Sequence, residues 1–498
     1  MKRLYTLIML TAVLFAACVP MGTGVECTLH RDNDENGYCD TCGTPTVVTL
    51  NFYCVNDLHG KICDTDTQPG VDELTSYLKN AEEKRGNTVV LSAGDMWQGS
   101  SESNMTGGLL TTEWMNGANF EAMALGNHEF DWGEEAIEEN LAIAEFPFLA
   151  INVYRKDTQS LAPYCTPSVM INRGAVNIGI IGAVGDCYSS IASDMTENLY
   201  FKVGSELTEL VKKESVRLRG LGADIIVYLL HDGNGSDRYG DVSDGALSPY
   251  YDISLSDGFV DLVFEGHTHQ RYVQVDSKGV YHLQGGGDNK GISHAQVDVN
   301  YGCGKVVGVK ANYLSTASYT HFEDDPLVAS LVEKYGVSEF TSVIGQNAHE
   351  RSRDELRQIA AELYYEYGSE KWGRDYEIAL AGAFFTVRSP GFLDSGDVTY
   401  SMLCTLFPFD NEIMLCSISG RDLKDKFFES SNSNYFIAYG DYGESIRDSI
   451  DESATYYVVT DSYTSTYAPN RMTEIESYDS KTFLRDLLAE YIKQGKME

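Results

Sequence analysis

The chain has 498 residues, more than one average domain, and its 43% hydrophobic content is enough to build real cores. Asp and Glu total 74 against 37 for Lys and Arg, a formal net charge of −37. That balance argues against a nucleic-acid polymer as partner, because binding to such a backbone is driven by Lys and Arg. It fits a well-hydrated acidic surface, on which any phosphate site must be made locally positive, most simply by bound cations.

Lys2 and Arg3 precede an apolar stretch at 4–17 that is too short to span a membrane as a mature helix, the pattern of an export signal. The stretch ends Phe15-Ala16-Ala17-Cys18, which resembles a bacterial lipobox with Cys18 as the lipidated residue. Phe15 departs from the aliphatic residue commoner there, and ordinary secretion is the alternative. No later segment is long and apolar enough to cross a membrane, so a lipid on Cys18 would be the sole anchor at the cell surface or the periplasmic side of the membrane.

Residues 19–46 form a short polar module. Cys27 and His30, then Cys39 and Cys42, give C-x2-H, eight residues and C-x2-C, a donor set for a closed tetrahedral zinc site. Three cysteines cannot make two disulfides. The run Asp32, Asp34, Asn36, Gly37 imitates the start of a calcium loop, but Gly43 stands where the bidentate Glu would be. Structural zinc is the expectation here, with calcium or a plain flexible spacer as alternatives. Beyond Cys18 and the module, Cys54, Cys63, Cys165, Cys187, Cys303, Cys404 and Cys416 remain, an odd number at irregular spacing that announces no disulfide framework. Cys54, Cys404 and Cys416 lie in apolar runs and read as buried thiols.

From residue 47 strands and helices alternate. Strands are expected at 47–53, 88–91, 122–125, 148–152, 177–181, 225–230 and 262–264, and helices at 72–85, 134–144 and 205–219. Further strand and turn at 281–313 closes this domain, taken as 47–318. A linker helix lies within 319–337, and a second domain fills 338–498, with a helix at 353–367 and a strand at 377–381. The alternation predicts helices layered around β-sheet, an α/β fold.

Five of the ten histidines fall in short blocks just past expected strands: Asp57-Leu58-His59, Gly94-Asp95, Gly126-Asn127-His128-Glu129, His231 and Gly266-His267-Thr268-His269. Open α/β sheets gather ligands beyond the carboxyl ends of their strands, so the blocks should converge on one edge. Asp, Asn and His together suit zinc, manganese, iron or cobalt. Asp57 and His59, like His267 and His269, are two residues apart, which points both members to one side of extended chain. The glycines before Asp95, Asn127 and His267 let the backbone turn sharply and bring side chains close. His282, His294, His321 and His349 carry no motif and read as surface or structural residues.

The segments Val55-Asn56-Asp57-Leu58-His59-Gly60, Ser92-Ala93-Gly94-Asp95, Gly126-Asn127-His128-Glu129-Phe130-Asp131-Trp132-Gly133, Leu230-His231 and Glu265-Gly266-His267-Thr268-His269 resemble the metallophosphoesterase superfamily. The fuller likeness, over 47–315, is to the secreted 5′-nucleotidase family, which includes UDP-sugar hydrolases and 2′,3′-cyclic-nucleotide phosphodiesterases. The resemblance implies a four-layer α/β/β/α sandwich with a second α/β domain of the 5′-nucleotidase C-terminal type. It implies two divalent metal ions, the first on Asp57, His59, Asp95 and His269, the second on Asp95, Asn127, His231 and His267, with Asp95 shared. It also implies attack by a hydroxide between the metals, with His128 stabilising the transition state or protonating the leaving oxygen and Asp131 fixing the His128 tautomer.

In the second domain, Thr399-Tyr400-Ser401, Leu406-Phe407-Pro408-Phe409-Asp410-Asn411 and Ile418-Ser419-Gly420-Arg421-Asp422-Leu423 resemble the family's C-terminal substrate domain. The family's Asn-x-Gly-x-Ile-Arg-like segment corresponds to Leu380-Ala381-Gly382-Ala383-Phe384-Phe385, where the Asn and the Arg are absent. Arg388 lies close enough to reach an anion, and Tyr435, Phe436 and Tyr463 are the candidates to clamp a nucleobase. The expectation is an exported, lipid-anchored two-metal phosphohydrolase of nucleotides or related small phosphoesters, with no protein partner implied. The alternatives are a phosphoesterase of non-nucleotide substrates and an inactive binding lipoprotein on the same scaffold.

Overall fold

The structure, a computed structural model, describes residues 27, 29–64, 69–191, 195–233, 259–337, 340–384, 387–388, 391–428, 436–440, 450–466, 472–477 and 482–497. The expected signal and Cys18 lie outside the described residues. In chain order the first region gives β1 (Val47–Val55), α1 (Asp72–Arg85), β2 (Thr88–Ser92), α2 (Ser101–Asn104), α3 (Leu109–Gly117), β3 (Phe120–Ala124), α4 (Gly133–Ile143) and β4 (Phe148–Leu149). It continues with β5 (Val153–Arg155), β6 (Ser168–Arg173), β7 (Val176–Val184), β8 (Leu199–Phe201), α5 (Ser205–Gly220) and β9 (Ile225–His231). It closes with β10 (Leu262–Glu265), β11 (Arg271–Val275), β12 (Tyr281–Gly285), β13 (Gly291–Asn300) and β14 (Lys305–Ser315).

Two six-stranded sheets result, in the orders β14-β13-β1-β2-β3-β4 and β11-β12-β10-β9-β7-β6. β1 to β4 run parallel, as do β12, β10, β9 and β7, while β13 and β14 in the first sheet and β11 and β6 in the second flank these runs antiparallel. Side-chain parity along each strand sets the layers. Leu50, Phe52, Val89 and Leu91 of the first sheet meet Ile178, Ile180, Val227, Leu229 and Phe264 of the second in one buried cluster. The alternate residues Tyr53, Val55, Val90 and Met123 face outward onto Leu74 and Leu78 of α1, Trp114 of α3 and Ile137 of α4. On the other side Ile181, Ala183, Ile226 and Tyr228 pack on Leu207, Val211 and Leu218 of α5. Helices therefore cover both outer faces of a two-sheet sandwich, the four-layer α/β arrangement.

In the second region a five-stranded sheet takes the order Phe436–Tyr439, Ile378–Phe384, Thr455–Asp461, Ile413–Ser419 and Thr473–Ser477. The long helix Arg353–Trp372 is started by Ser352, whose hydroxyl accepts from Glu355 N while the Glu355 carboxylate accepts from Ser352 N, a reciprocal cap. Its Leu356, Ile359 and Leu363 share a core with Leu415, Val459 and the helix Leu484–Lys493. The expected strand at 148–152 is shorter than its apolar run: only Phe148–Leu149 pairs, because buried Asn152 leaves the ladder to exchange hydrogen bonds with Val184 and Lys202.

Candidate active site

The carboxyl ends of β1, β2, β3, β9 and β10 lie along adjoining edges of the two sheets, and each delivers one of the motif blocks. Asp57, His59, Asp95, His267 and His269 all have φ between 51° and 73°, a conformation that non-glycine residues adopt rarely and that collects at functional sites. Of the preceding glycines only Gly94, at φ +92°, is there for its backbone freedom. Gly126 and Gly266 are there for space, which corrects the expectation of a sharp turn at all three. A Cβ on Gly126 would lie 2.7 Å from Asp95 N and 2.8 Å from His231 Cε1, and one on Gly266 would lie 2.8 Å from His231 Nδ1.

The blocks converge. Asp57, His59 and His269 present ligand atoms within 4.8 Å of one another, and so do Asp57, Asp95 and His231. His59 Nε2 and His269 Nε2 face each other at 3.0 Å. His231 Nε2 lies 3.1 Å from Asp95 Oδ2 and 3.2 Å from Asn127 Oδ1, and His267 Nδ1 lies 3.0 Å from Asn127 Oδ1. The orienting bonds leave these atoms to the cluster. His59 Nδ1 donates to the Gln98 carbonyl at 2.7 Å and His231 Nδ1 to the Ala93 carbonyl at 2.6 Å, which turns Nε2 of each ring toward the cluster. Asp57 accepts the His267 backbone N–H at 2.8 Å and Asn56 Nδ2 at 2.6 Å. This donor set, with two buried carboxylates, imidazole edges and an amide oxygen turned inward, fits a pair of divalent cations.

His128 stands at the rim, its Nδ1 2.7 Å from Asp131 Oδ2 and its ring 5.3 Å from that of His59. Glu129, fully buried, accepts from the backbone N–H groups of Asp95, Met96 and Gly126 at 2.9, 2.7 and 2.6 Å, and so ties the β2 loop to the β3 loop. Cys187, which its spacing leaves among the unassigned cysteines, donates to the His231 carbonyl at 2.9 Å and lies within 4.8 Å of the ligand atoms of His231 and His267.

Residues 50–271 match the calcineurin-like phosphoesterase family. The chain carries a calcineurin-like phosphoesterase domain. It is 26% identical to the apyrase of Tabanus yao over 421 residues, covering 76% of this chain and 72% of that protein. It is 28% identical to the snake venom 5′-nucleotidase of Crotalus adamanteus over 268 residues, 53% of this chain, and spans 40% of that relative's length. The fold is similar to that of a 5′-nucleotidase precursor from Thermus thermophilus, with a TM-score of 0.68 at 19% identity over 90% of this chain and 97% of that one. Over residues 50–271 the chain is thus similar to the metallophosphoesterases, and its relatives include 5′-nucleotidases.

Electrostatics in the phosphoesterase domain follow from burial. Burial pushes His59 and His269 below the ordinary imidazole range and keeps both neutral. Burial alone would raise Asp95, but His231 and His128 outweigh it and hold the carboxyl well below its usual range. Burial likewise lowers His128, yet Asp131 and Asp95 outweigh it and lift that imidazole to about 9 in the metal-free chain. Behind the His267–His269 loop, His282 is no surface residue: it is fully buried, 2.7 Å from Glu265 and 3.8 Å from Asp276.

The second region reaches this rim through 408–410. Gln98 Nε2 and Asn104 Nδ2 each donate to the Pro408 carbonyl at 2.9 Å. The Phe409 ring lies nearly parallel to that of His128 at 5.9 Å, and the Arg388 guanidinium sits 4.5 Å from the centre of the same Phe409 ring. Asp410 accepts the Trp132 indole N–H at 2.9 Å and pairs with buried Arg485. In the sequence Phe409 is only one member of a run, although its place between two turn-forming residues, Pro408 and Asp410, marks a loop aromatic. Tyr435 lies outside the described residues, Phe436 is described in its strand backbone alone, and Tyr463 lies in the short helix Ser462–Thr466.

Proposed function

We propose that the chain is an exported, lipid-anchored phosphohydrolase of nucleotides or related small phosphoesters that uses two divalent cations held by Asp57, His59, Asp95, Asn127, His231, His267 and His269. The observation that carries this reading is the meeting of the donor atoms of Asp57, Asp95, His231 and His269 from the carboxyl ends of four separate strands beside the His128–Asp131 pair. The likeness of its relatives, an apyrase and a 5′-nucleotidase by name, supports the substrate class. Export and the lipid on Cys18 rest on the sequence of residues 1–18, and no helix among the described residues is long and apolar enough to cross a membrane. The proposed layout is a catalytic domain at 47–318, a linker helix within 319–337 and a substrate-binding domain at 338–498.

Bound cations would supply the positive field and acidified water that phosphoester hydrolysis needs. The residues do the rest. Asp131 accepts from His128 Nδ1 and fixes the tautomer, so Nε2 is the edge left to meet a leaving oxygen and give it a proton. Glu129 holds the Asp95 and Gly126 backbones at fixed separation, so the two metal-binding loops keep their spacing while substrate charge changes. Arg388 and Phe409 close the outer side of the same rim with a cation and a ring face, groups suited to a phosphate and to a planar base.

A substrate panel on the purified protein tests this: nucleoside monophosphates, a 2′,3′-cyclic nucleotide, a UDP-sugar, and p-nitrophenyl phosphate with its diester. At least one phosphoester is expected to turn over with added manganese or zinc. His128→Ala should cut turnover by about 10²–10⁴-fold, the usual worth of a proton donor. Full activity in His128→Ala would remove the proposed mechanism. No turnover and no bound metal in the wild type would favour the inactive binding scaffold instead.

A further inference from the structure

A second metal-binding chemistry sits at the opposite end of β1. The Sγ atoms of Cys27 and Cys39 are 3.7 Å apart, His30 Nδ1 is 3.3 Å from Cys42 Sγ, and the four ligand atoms all lie within 4.8 Å of one another. A zinc tetrahedron with bonds of about 2.3 Å to sulfur and about 2.0 Å to nitrogen has edges of roughly 3.5–3.8 Å. A disulfide would need sulfurs at about 2.05 Å, and the ten described cysteines are thiols. The turn that carries the C-x2-C pair closes with Gly43 N–H on the Cys39 carbonyl at 2.8 Å, with Gly43 at φ +70°.

The acidic residues alongside are already engaged in holding the turn. Asp32 accepts from Asn36 N at 3.0 Å, Gly37 N at 2.7 Å, Thr46 Oγ1 at 3.2 Å and Asn300 Nδ2 at 2.6 Å. Asp40 accepts from both Asn33 nitrogens, at 3.0 and 2.6 Å. A carboxylate satisfied by four donors has little left for calcium, and through Asn300 Asp32 bolts the module to the body. The module seats on the β13–β14 turn: Tyr301 N–H donates to the Thr46 carbonyl at 3.0 Å, Asp32 N–H to the Gly302 carbonyl at 3.3 Å, and the His30 ring stands edge-on to Tyr301 at 6.2 Å.

We propose that Cys27, His30, Cys39 and Cys42 bind one zinc ion in a closed, non-catalytic site that folds the N-terminal module and clamps it to the β13–β14 turn. So small a module buries too little apolar surface to hold its shape without a metal or a crosslink. The eight residue steps of β1 put it about 26 Å from the catalytic loops, so this zinc takes no part in hydrolysis.

The test uses the full-length protein and measures bound metal by elemental mass spectrometry in the wild type, in Cys39→Ser, and in the double variant Asp57→Asn with Asp95→Asn. One zinc per chain is expected to survive the double variant and to be lost in Cys39→Ser. Cobalt exchanged into the wild type should give thiolate-to-metal absorption and tetrahedral d–d bands that Cys39→Ser lacks. Phosphoester turnover in Cys39→Ser should stay within about twofold, since distant sites act independently. Should Cys39→Ser fail to fold, His30→Cys supplies the second variant, retaining zinc with shifted cobalt bands. Equal zinc in the wild type and Cys39→Ser, no thiolate–cobalt band in the wild type, or a peptide map showing a Cys39–Cys42 disulfide would overturn the proposal.

Discussion

The site is built from residues held where residues of their kind rarely sit. Left-handed backbone at a non-glycine position costs of order 1–3 kcal/mol, and five of the seven proposed metal ligands are in that region. Such strain persists only where the surroundings over-determine it. Here the determinants are on view: Glu129 on three backbone donors, Asn56 and His267 N–H on Asp57, and two carbonyls on His59 and His231. Gly126 is the tightest of these constraints, because any side chain there invades Asp95 and His231. Gly126→Ala is expected to lower phosphoester turnover at least about tenfold, with a fall in bound metal comparable to losing an orienting partner, about 10–100-fold in affinity. Metal titration beside kinetics would show it, and wild-type affinity in Gly126→Ala would contradict the role given to this glycine.

Among elements, the strands and the motif blocks are the part legible in the sequence. Alternating apolar residues in β1, β2, β7 and β9 state both their strand character and the two faces they bury, and the loops after them carry residue types that only a metal centre needs in such density. The edge strands β6 and β11 are not legible, because an edge strand with one solvated face mixes charges with its apolar residues, as Arg271-Tyr272-Val273-Gln274-Val275 does. His282 is illegible for a different reason. Its partners Glu265 and Asp276 come from neighbouring chain segments that only strand pairing brings alongside. Burial lowers its pKa, but Glu265 and Asp276 outweigh burial and lift it to about 9. A raised folded pKa stabilises fully below the ordinary value near 6.5, and the contribution is lost as pH rises through about 9. The stability advantage of the wild type over His282→Gln should therefore shrink between these limits by on the order of 3 kcal/mol. Denaturation midpoints at pH 6 and pH 9 would check it, and a constant gap would contradict the buried charge pair.

At the scale of the whole molecule, the second region meets the rim of the candidate site through the 408–410 loop and, beside it, through Ser401, whose hydroxyl accepts from Ser101 Oγ at 2.9 Å. Pro408, Phe409 and Asp410 meet Gln98, His128 and Trp132, and Arg485 anchors the loop from behind. No sequence pattern announces that Asp410 serves a Trp from one region and an Arg from another, because the three residues lie far apart in the chain. Removing the carboxylate in Asp410→Ala takes the ion-pair partner from a buried guanidinium and leaves it the neutral Tyr400 hydroxyl and the Phe407 and Phe409 carbonyls, a loss of about 3–5 kcal/mol. If the rim loop positions substrate as proposed, Asp410→Ala should also raise KM more than it lowers kcat, because His128 and the proposed metal ligands stay in place. Unchanged stability in a denaturant titration of Asp410→Ala would show that Arg485 finds another partner.

The most direct measurement is phosphoester turnover by the purified protein before chelation, after exhaustive chelation, and after return of manganese or cobalt in counted equivalents. Activity is expected to vanish on chelation and to return as two equivalents fill the centre at Asp57, Asp95 and His231, in the wild type but not in Asp95→Ala. A chelated, metal-free preparation that turned over phosphoesters at the original rate would contradict the two-cation centre outright.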